Sequence, residues 1–519
     1  MDPLAPETTP EPAGRPAAFA LGPVAAASAG TVALLLAVST RYGYHRDELY
    51  FLACARHMAW GFVDQPPLSI AFVWLSHALF GDSLVGLRLF PALADGGTVL
   101  LAGLVAREFG GDRFAQSLAA LAVGVSAFLV AGHLAGPTIY DLLGWAAVSL
   151  VVIRILRTED ERLWLAVGLA VGLGMLAKET ILLLVAGLAV GFVANRQGRL
   201  LRSPWLWAGA GLALLMWSPN LVWEAAHGWP TSEMSRNLQR EHSGLGYSLT
   251  FIPVQILLPG WWTAPVWMAG LWALWRQPRF RAYRAFAIAY ALLFGVLIVV
   301  LGDRPYYLAG LYVVLLAAGA VVTGQVVAGA RRFFSERPPR RRLIWRSRRA
   351  ALGFVLILGL VDLPLALPIL PARVLHTVPL QDVNYNLGET IGWPELAATV
   401  ARVYRSLPPD ERARAVILGS NYGEAGAIDR YGPALGLPHA FSGHNSYWWW
   451  GPPPGGTRSA VAIGFQRADL TWAFGSVVLA ATIRNRLGVQ NDEEDASVWI
   501  CTDPKAPWSI LWPAFKHYG

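Results

Sequence analysis

The sequence predicts a polytopic α-helical membrane protein with about eleven transmembrane helices and a C-terminal extracytoplasmic α/β domain. Three observations predict the membrane body and the appended domain. Hydrophobic residues make up 55% of the 519 and charged residues only 15%, with a mean hydropathy of +0.42, whereas a soluble domain carries about 25% charge. Apolar runs of spanning length recur from residue 22 to residue 370, and arginine-dense segments occupy alternate connections between them. After residue 371 the pattern changes to short apolar runs set among helical and turn-rich stretches.

Residues 1–20 are rich in Pro, Ala and Glu and read as a disordered cytoplasmic tail. The run 22–40 is about long enough to cross, since a bilayer core takes roughly 20 helical residues. It has no signal-peptide cleavage context, so it reads as a retained first helix. Further spans are expected near 84–106, 114–134, 137–156, 163–177, 179–195, 205–223, 251–275, 284–301, 305–328 and 350–370. These make up a membrane domain over 21–370.

A cytoplasmic N-terminus places "RTEDER" (157–162), "NRQGRLLR" (195–202), "RQPRFRAYR" (276–284) and "RRFFSERPPRRRLIWRSRR" (331–349) inside, as the positive-inside rule asks. Residues 41–83, 224–250 and everything after 371 then lie outside. The block 331–349 serves as an orientation signal and a contact for anionic membrane lipid. The net charge of +8 therefore calls for no nucleic acid. The 23 Trp and 16 Tyr suit a large interfacial surface. Two cysteines, Cys54 and Cys501, exclude a disulfide framework and a thiolate zinc site, and read as buried free thiols.

In the tail, "RAVILG" (414–419), "SAVAIGF" (459–465) and "ASVWICT" (496–502) read as buried strands of a domain over 371–519. "GSNYGEAGAIDRYG" (419–432) follows a strand and opens a helix, but it lacks both G-x-G-x-x-G and G-K-[ST], so it is a weak nucleotide signal. "SGHNSYWWWGPPP" (442–454) concentrates Trp and polar amides. That chemistry suits stacking on sugar faces, or a loop packed back on the membrane body.

The residues able to do chemistry gather at the expected outer side. "YGYHRDELYF" (41–50) sets Asp47 and Glu48 at the end of the first span, before "LYFLACARHMAW", which reads as an amphipathic helix on the membrane surface. An acid beside an intramembrane cavity marks a functional site, although solvated charges ending a helix look the same. "GFVDQPPLSIAF" (61–72) puts Asp64 before a double proline that forces an extended turn.

Asp141 sits just inside an apolar segment, where a carboxylate costs roughly 2.5–3.5 kcal/mol unless it faces a cavity or partner. Lys178 interrupts continuous apolar sequence; it either holds an anion, snorkels or pairs with Glu179. "LGDRPYYLAGLY" (301–312) offers Arg304 for bidentate bonds to phosphate, with Tyr306 and Tyr307 as donors or as part of an aromatic belt. The segment 220–242 carries Glu224, His227, Arg236 and Arg240.

An acidic pair after the first span, an amphipathic stretch and an acid-x-Pro-Pro-Leu turn, in that order, resemble a known family. The chain is similar over residues 22 to about 330 to the bacterial relatives of dolichyl-phosphate-mannose protein mannosyltransferase, including the lipid A aminoarabinose transferase, of the GT-C class. The resemblance implies a multi-pass cell-membrane glycosyltransferase, hexosyl or pentosyl. It would move a sugar from a polyprenyl-phosphate donor to a protein, cell-wall glycan or lipid acceptor outside the cytoplasm.

By the same resemblance Asp47 is the catalytic base, and Glu48 orients the acceptor or supports Asp47. Lys178, Arg304, Tyr306 and Tyr307 hold the donor phosphate, while Asp64, Asp141, Glu224 and His227 contact substrate. A divalent metal is not general to the family; Asp64 and His227 are the ligands on offer, a thin set. The rival class is a transporter or flippase of a polyprenyl-linked or anionic substrate, although no repeated halves are seen.

Overall fold

In the computed structural model the described residues are 17–241, 245–300, 304–333, 341–378 and 380–519. The expected N-terminal tail lies mostly outside them, as does part of the basic block 331–349. Among the described residues six helices are long and apolar enough to cross a membrane. They are Leu21–Val38, Leu84–Glu108, Pro137–Thr158, Pro278–Val299, Pro305–Ala328 and Ser347–Ala366.

Of the other expected spans, 205–223 is one continuous helix, Pro204–Ala226, and the rest are broken or short. Residues 114–134 form two pieces, Arg113–Gly124 and Leu129–His133, with the Ser126 hydroxyl turned onto the Val123 carbonyl at 2.8 Å. Residues 251–275 break at Pro259-Gly260, where Gly260 takes a φ of +87°, into Leu245–Leu257 and Ala264–Arg276. Trp164–Ala177 and Ile181–Ala194 have 14 residues each, about 21 Å at 1.5 Å per residue. Irregular backbone inside a bilayer is tolerated only where it is buried or lines a cavity. Both breaks meet that condition, since Ser126 and Gly260 line the cavity described below.

The helix Ala309–Phe333 lies at the centre of the bundle, with every side chain from Leu311 to Ala318 fully buried. A helix apolar on all sides belongs in such a position. The arginine-bearing connections meet at one end of the bundle. Arg157 pairs with Glu108 at 2.6 Å, Asn195 donates to the Arg281 carbonyl at 3.0 Å, and Ser203 donates to Glu161 at 2.6 Å.

The second body holds a five-stranded sheet. Its strands are β1 (Ala415–Gly419), β2 (Ala440–Ser442), β3 (Ser459–Ile463), β4 (Phe474–Thr482) and β5 (Ser497–Pro504), in the order β2-β1-β3-β5-β4. β2, β1 and β3 are parallel, and β5 and β4 complete the sheet antiparallel. β1 and β3 are buried along their whole length, which explains their unbroken apolar sequence. One face packs Ile417, Val461 and Ile463 against the helices Trp393–Ser406 and Tyr422–Tyr431. The other packs Leu418 and Ala462 against Trp508, Leu511 and Trp512.

The helix expected to lie on the membrane surface does not. It runs Arg46–Arg56 and is enclosed. Leu49, Tyr50, Phe51 and Cys54 share one apolar core with Ile70 and Val73 of the membrane body and with Trp393, Leu396 and Ile428 of the small domain. Its apolar face, read from sequence as a lipid contact, is a contact between the two bodies.

A Cβ on Gly310 would collide with Trp145 of the helix Pro137–Thr158. Overpacking of that kind costs about 1–3 kcal/mol. Gly310→Ala is expected to lower the thermal unfolding midpoint in detergent by a few degrees, and an unchanged midpoint would contradict the tight crossing.

Candidate active site

A cavity of about 740 Å³ lies where the broken helices face the small domain, and Asp47, Asp64, Asp141, Lys178, Arg304 and Tyr306 all line it. These residues come from five separate stretches of sequence. Their shared cavity is the main finding about the site.

At the acidic side, His45 caps the helix Arg46–Arg56. Its ring accepts from the Asp47 amide at 3.1 Å, while Glu48 reaches back to the His45 amide at 2.8 Å. Asp47 thus stands in the first turn, where the helix dipole favours a negative charge. Its side chain keeps 39% of its surface exposed. Asp47 Oδ1 accepts from the Tyr422 hydroxyl at 2.9 Å and has Arg46 Nε at 3.9 Å. His45 Nδ1 lies 3.8 Å from Oδ2. Asp64 accepts from the Tyr50 hydroxyl at 2.8 Å. Burial pushes the Asp64 carboxyl up to about 7, against the opposing effect of that hydrogen bond.

Glu48 does not reach the cavity. Its carboxylate is fully buried and takes Arg88 Nε at 2.8 Å, Arg88 Nη2 at 2.7 Å and the Ala135 amide at 3.0 Å. Burial alone would raise its carboxyl; the Arg88 guanidinium and the backbone donors outweigh that and hold it below the usual range. With every lone pair engaged, Glu48 holds the helix in place and has no oxygen left for an acceptor.

At the cationic side, Lys178 fills the turn between Trp164–Ala177 and Ile181–Ala194. Its ammonium donates to Thr138 at 3.3 Å and sits 4.8 Å and 5.2 Å from the Tyr306 and Tyr307 ring centres. The two rings are cation–π partners here rather than a lipid-facing belt. Arg304 donates to the Tyr307 hydroxyl at 2.9 Å; Tyr307 itself does not line the cavity. Asp141 accepts from Thr180 at 2.7 Å and from Trp145 at 3.0 Å. Among the described residues Lys178 has no carboxylate in ion-pair contact. Its charge is therefore held by π faces and a hydroxyl, an arrangement open to an anion.

Glu224 and His227 are placed elsewhere. Glu224 is buried and accepts from Thr231 at 2.7 Å. His227 stacks on Trp223 with ring centres 4.2 Å apart and meets Trp449 edge-on at 4.8 Å. Neither lines the cavity, nor do Arg236 and Arg240. Asp64 and His227 are therefore not brought together as a ligand pair, and no three His, Cys, Asp or Glu side chains gather as a metal site among the described residues. The described residues do not fit a metal.

Sequence reading missed the tail's share of the site. Asn384, Tyr385 and Asn386 line the cavity, and Tyr422 reaches Asp47 from 375 residues away. No local pattern signals such a contact.

Two outcomes test this geometry. Glu48→Gln leaves the Arg88 guanidinium buried without its counter-charge, a change worth about 3–5 kcal/mol. The variant is expected to lose its monodisperse peak in detergent; a folded but inactive Glu48→Gln protein would instead assign Glu48 to the chemistry. For Asp64, the raised carboxyl holds its proton in the folded state between its ordinary value and about 7, while the unfolded chain has released it. Its contribution is therefore fully present below about pH 4 and is lost as pH rises through 7. Asp64→Asn should gain thermal stability relative to the parent at pH 8 but not at pH 4, read as a difference in unfolding midpoints.

Residues 64–223 match the family described as dolichyl-phosphate-mannose-protein mannosyltransferase. An undecaprenyl phosphate-alpha-4-amino-4-deoxy-L-arabinose arabinosyl transferase 2 of Pseudomonas fluorescens is 32% identical over 149 residues, 27% of this chain and 25% of that protein. A second such enzyme from another strain of that species is 28% identical over 201 residues, 37% of this chain and 34% of the relative. The matched segments thus span between a quarter and a third of these curated relatives. ArnT from Cupriavidus metallidurans, solved bound to undecaprenyl phosphate, superposes with a TM-score of 0.58 at 17% identity, over 92% of this chain and 98% of that one. Its apo state superposes with a TM-score of 0.55. Asp64, Asp141 and Lys178 fall inside the matched segment, whereas Asp47 and Arg304 fall outside it. The chain thus shares the fold of ArnT along nearly its whole length, and residues 64–223 are similar to the protein mannosyltransferase family.

Proposed function

We propose that this protein is a membrane glycosyltransferase. It takes a sugar from a polyprenyl-phosphate donor and passes it to an acceptor hydroxyl on the extracytoplasmic side. One observation carries the reading: a carboxylate with an exposed oxygen, Asp47, and a cation with no carboxylate in ion-pair contact among the described residues, Lys178, line the same cavity. The solved relative bound to undecaprenyl phosphate and the arabinosyl transferase relatives support a lipid-phosphate donor, and within that class a pentose.

In this reading the donor phosphate rests against Lys178 and Arg304, with Tyr306 beside it. Apolar walls take the polyprenyl chain, at about 0.8 kcal/mol per buried methylene. Asp47 accepts the proton of the acceptor O–H as that oxygen bonds to the anomeric carbon. The bond from that carbon to the phosphate oxygen breaks, and its electron pair leaves on polyprenyl phosphate. The phosphate is a good leaving group whose charge the cations stabilise. One base is then enough, unlike in a hydrolase, which needs an acid partner. The arginine-bearing connections at the opposite end support a cytoplasmic N-terminus and a site facing outward.

The test is transfer from radiolabelled polyprenyl-phosphate sugars to membrane, protein and cell-wall acceptors. Asp47→Asn is expected to reduce transfer by about 10²–10⁴-fold with donor binding intact. Lys178→Ala is expected to weaken donor binding by about 10–100-fold. Movement of donor across vesicles without a glycosidic product would replace this reading with a transporter.

A further inference from the structure

We propose that Tyr422 of the C-terminal domain is a positioning residue for Asp47, so that the small domain completes the catalytic centre rather than merely covering it. The inference rests on the reading of Asp47 as the base.

The segment "GSNYGEAGAIDRYG" has the look of a phosphate loop, a strand running into a helix through small residues. The structure uses it differently. β1 ends at Gly419, and Asn421 starts the next helix through a reciprocal cap: its side chain accepts from the Glu424 amide at 2.9 Å, and Glu424 accepts from the Asn421 amide at 3.0 Å. Tyr422 is therefore the first residue of the helix Tyr422–Tyr431.

The small residues then set the docking. A Cβ on Gly423 would collide with Arg46 Cγ, and one on Gly426 would come 2.8 Å from the Leu49 carbonyl carbon. The two helices approach closely only because neither side chain exists, and that closeness admits one register. It carries the start of one helix to the start of the other.

The Tyr422 ring has neighbours that hold it there. It stacks on Tyr50 with centres 4.6 Å apart and lies 4.6 Å from the His444 ring, and the Arg46 guanidinium sits 5.7 Å from its centre. Its hydroxyl donates to Asp47 Oδ1 at 2.9 Å. Without this bond, a half-exposed aspartate on a helix first turn is free to change rotamer. With it, Oδ1 is occupied. Oδ2 accepts no hydrogen bond among the described residues and is left for the acceptor hydroxyl.

A packing role and a positioning role predict different behaviour for Tyr422→Phe, which keeps the ring and removes only the hydroxyl. Full-length protein in nanodiscs is assayed for transfer across a range of pH. Positioning predicts an unchanged unfolding midpoint and unchanged donor KM, with kcat lower by about 10–100-fold, the weight of a hydrogen bond to a charged group.

Positioning also predicts that the acid limb of the kcat profile moves to higher pH, because a donated hydrogen bond favours the charged carboxylate. The groups facing Asp47 are His45 and Arg46 from its own helix, Tyr422 and His444 from the small domain, Tyr385 from the cavity rim and Asp64 from the loop before the prolines. All except the Tyr422 hydroxyl stay in place in the variant. Fluorotyrosine at 422, a stronger donor of the same shape, should move the limb the opposite way. If kcat and the limb match the parent in both variants, Tyr422 only packs and the proposal falls. An active Asp47→Asn protein would overturn the base reading itself; an inactive one beside a parent-like Tyr422→Phe overturns only the positioning.

Discussion

Arg88 and Glu48 form a buried ion pair on which the placement of the site depends. Arg88 is 1% exposed and Glu48 fully buried, and each guanidinium N–H is used. Nε and Nη2 bind the two Glu48 oxygens, Nη2 also donates to the Gly43 carbonyl, and Nη1 meets the Ser39 carbonyl and the His133 ring. Two buried charges are tolerated because their hydrogen bonding is complete. The pair joins the end of the first helix, the helix Leu84–Glu108 and the turn at Ala135 at one point. The helix carrying Asp47 starts from that point. Its second residue faces the cavity because its third is anchored on Arg88.

The two carboxylates of "RDELY" therefore divide their work by environment. Adjacent residues of a helix point about 100° apart, so only one of them can face a given cavity. Glu48 turns inward and meets a full set of donors, while Asp47 turns toward the cavity and the small domain. The cationic side follows similar logic. Lys178 lies in a turn between two short helices, among tyrosine rings that carry no net charge. The π faces hold the ammonium without an ion-pair contact, and the Asp141 charge acts on it only from beyond that range.

The membrane class, most of the long spans, three of the five strands and several residues that line the candidate cavity were legible in the sequence. Long apolar helices and buried parallel strands announce themselves through composition, as "AVILG" and "SAVAI" do. β4 escaped because most of its residues are exposed, and β2 because it has three residues. The broken helices were read as continuous, since Val125–Phe128 is as apolar as its flanks and only a cavity makes its irregular backbone tolerable. Asp47, Asp64, Asp141, Lys178 and Arg304 were visible as charges where apolar sequence should continue or end. Glu48 was visible for the same reason, and sequence alone does not say which way each carboxylate turns. Tyr422 and Tyr385 gave no signal, because a tyrosine in a polar tail is ordinary until the fold sets it against a carboxylate.

The small domain is joined to the membrane body by more than a linker. It shares an apolar core with the helix Arg46–Arg56, and Arg46 bridges the two bodies, 2.6 Å from Asp492, 3.7 Å from Glu389 and 3.9 Å from Asp47. Domains move freely where their interface is small and polar, and are held where it is large and apolar. This interface has an apolar core, and Asp47 lies at its edge. A substitution that loosens the docking of the small domain therefore changes the geometry around Asp47 without touching any residue of the membrane bundle. The membrane body supplies the cations and the apolar walls, and the setting of the carboxylate belongs to both bodies at once.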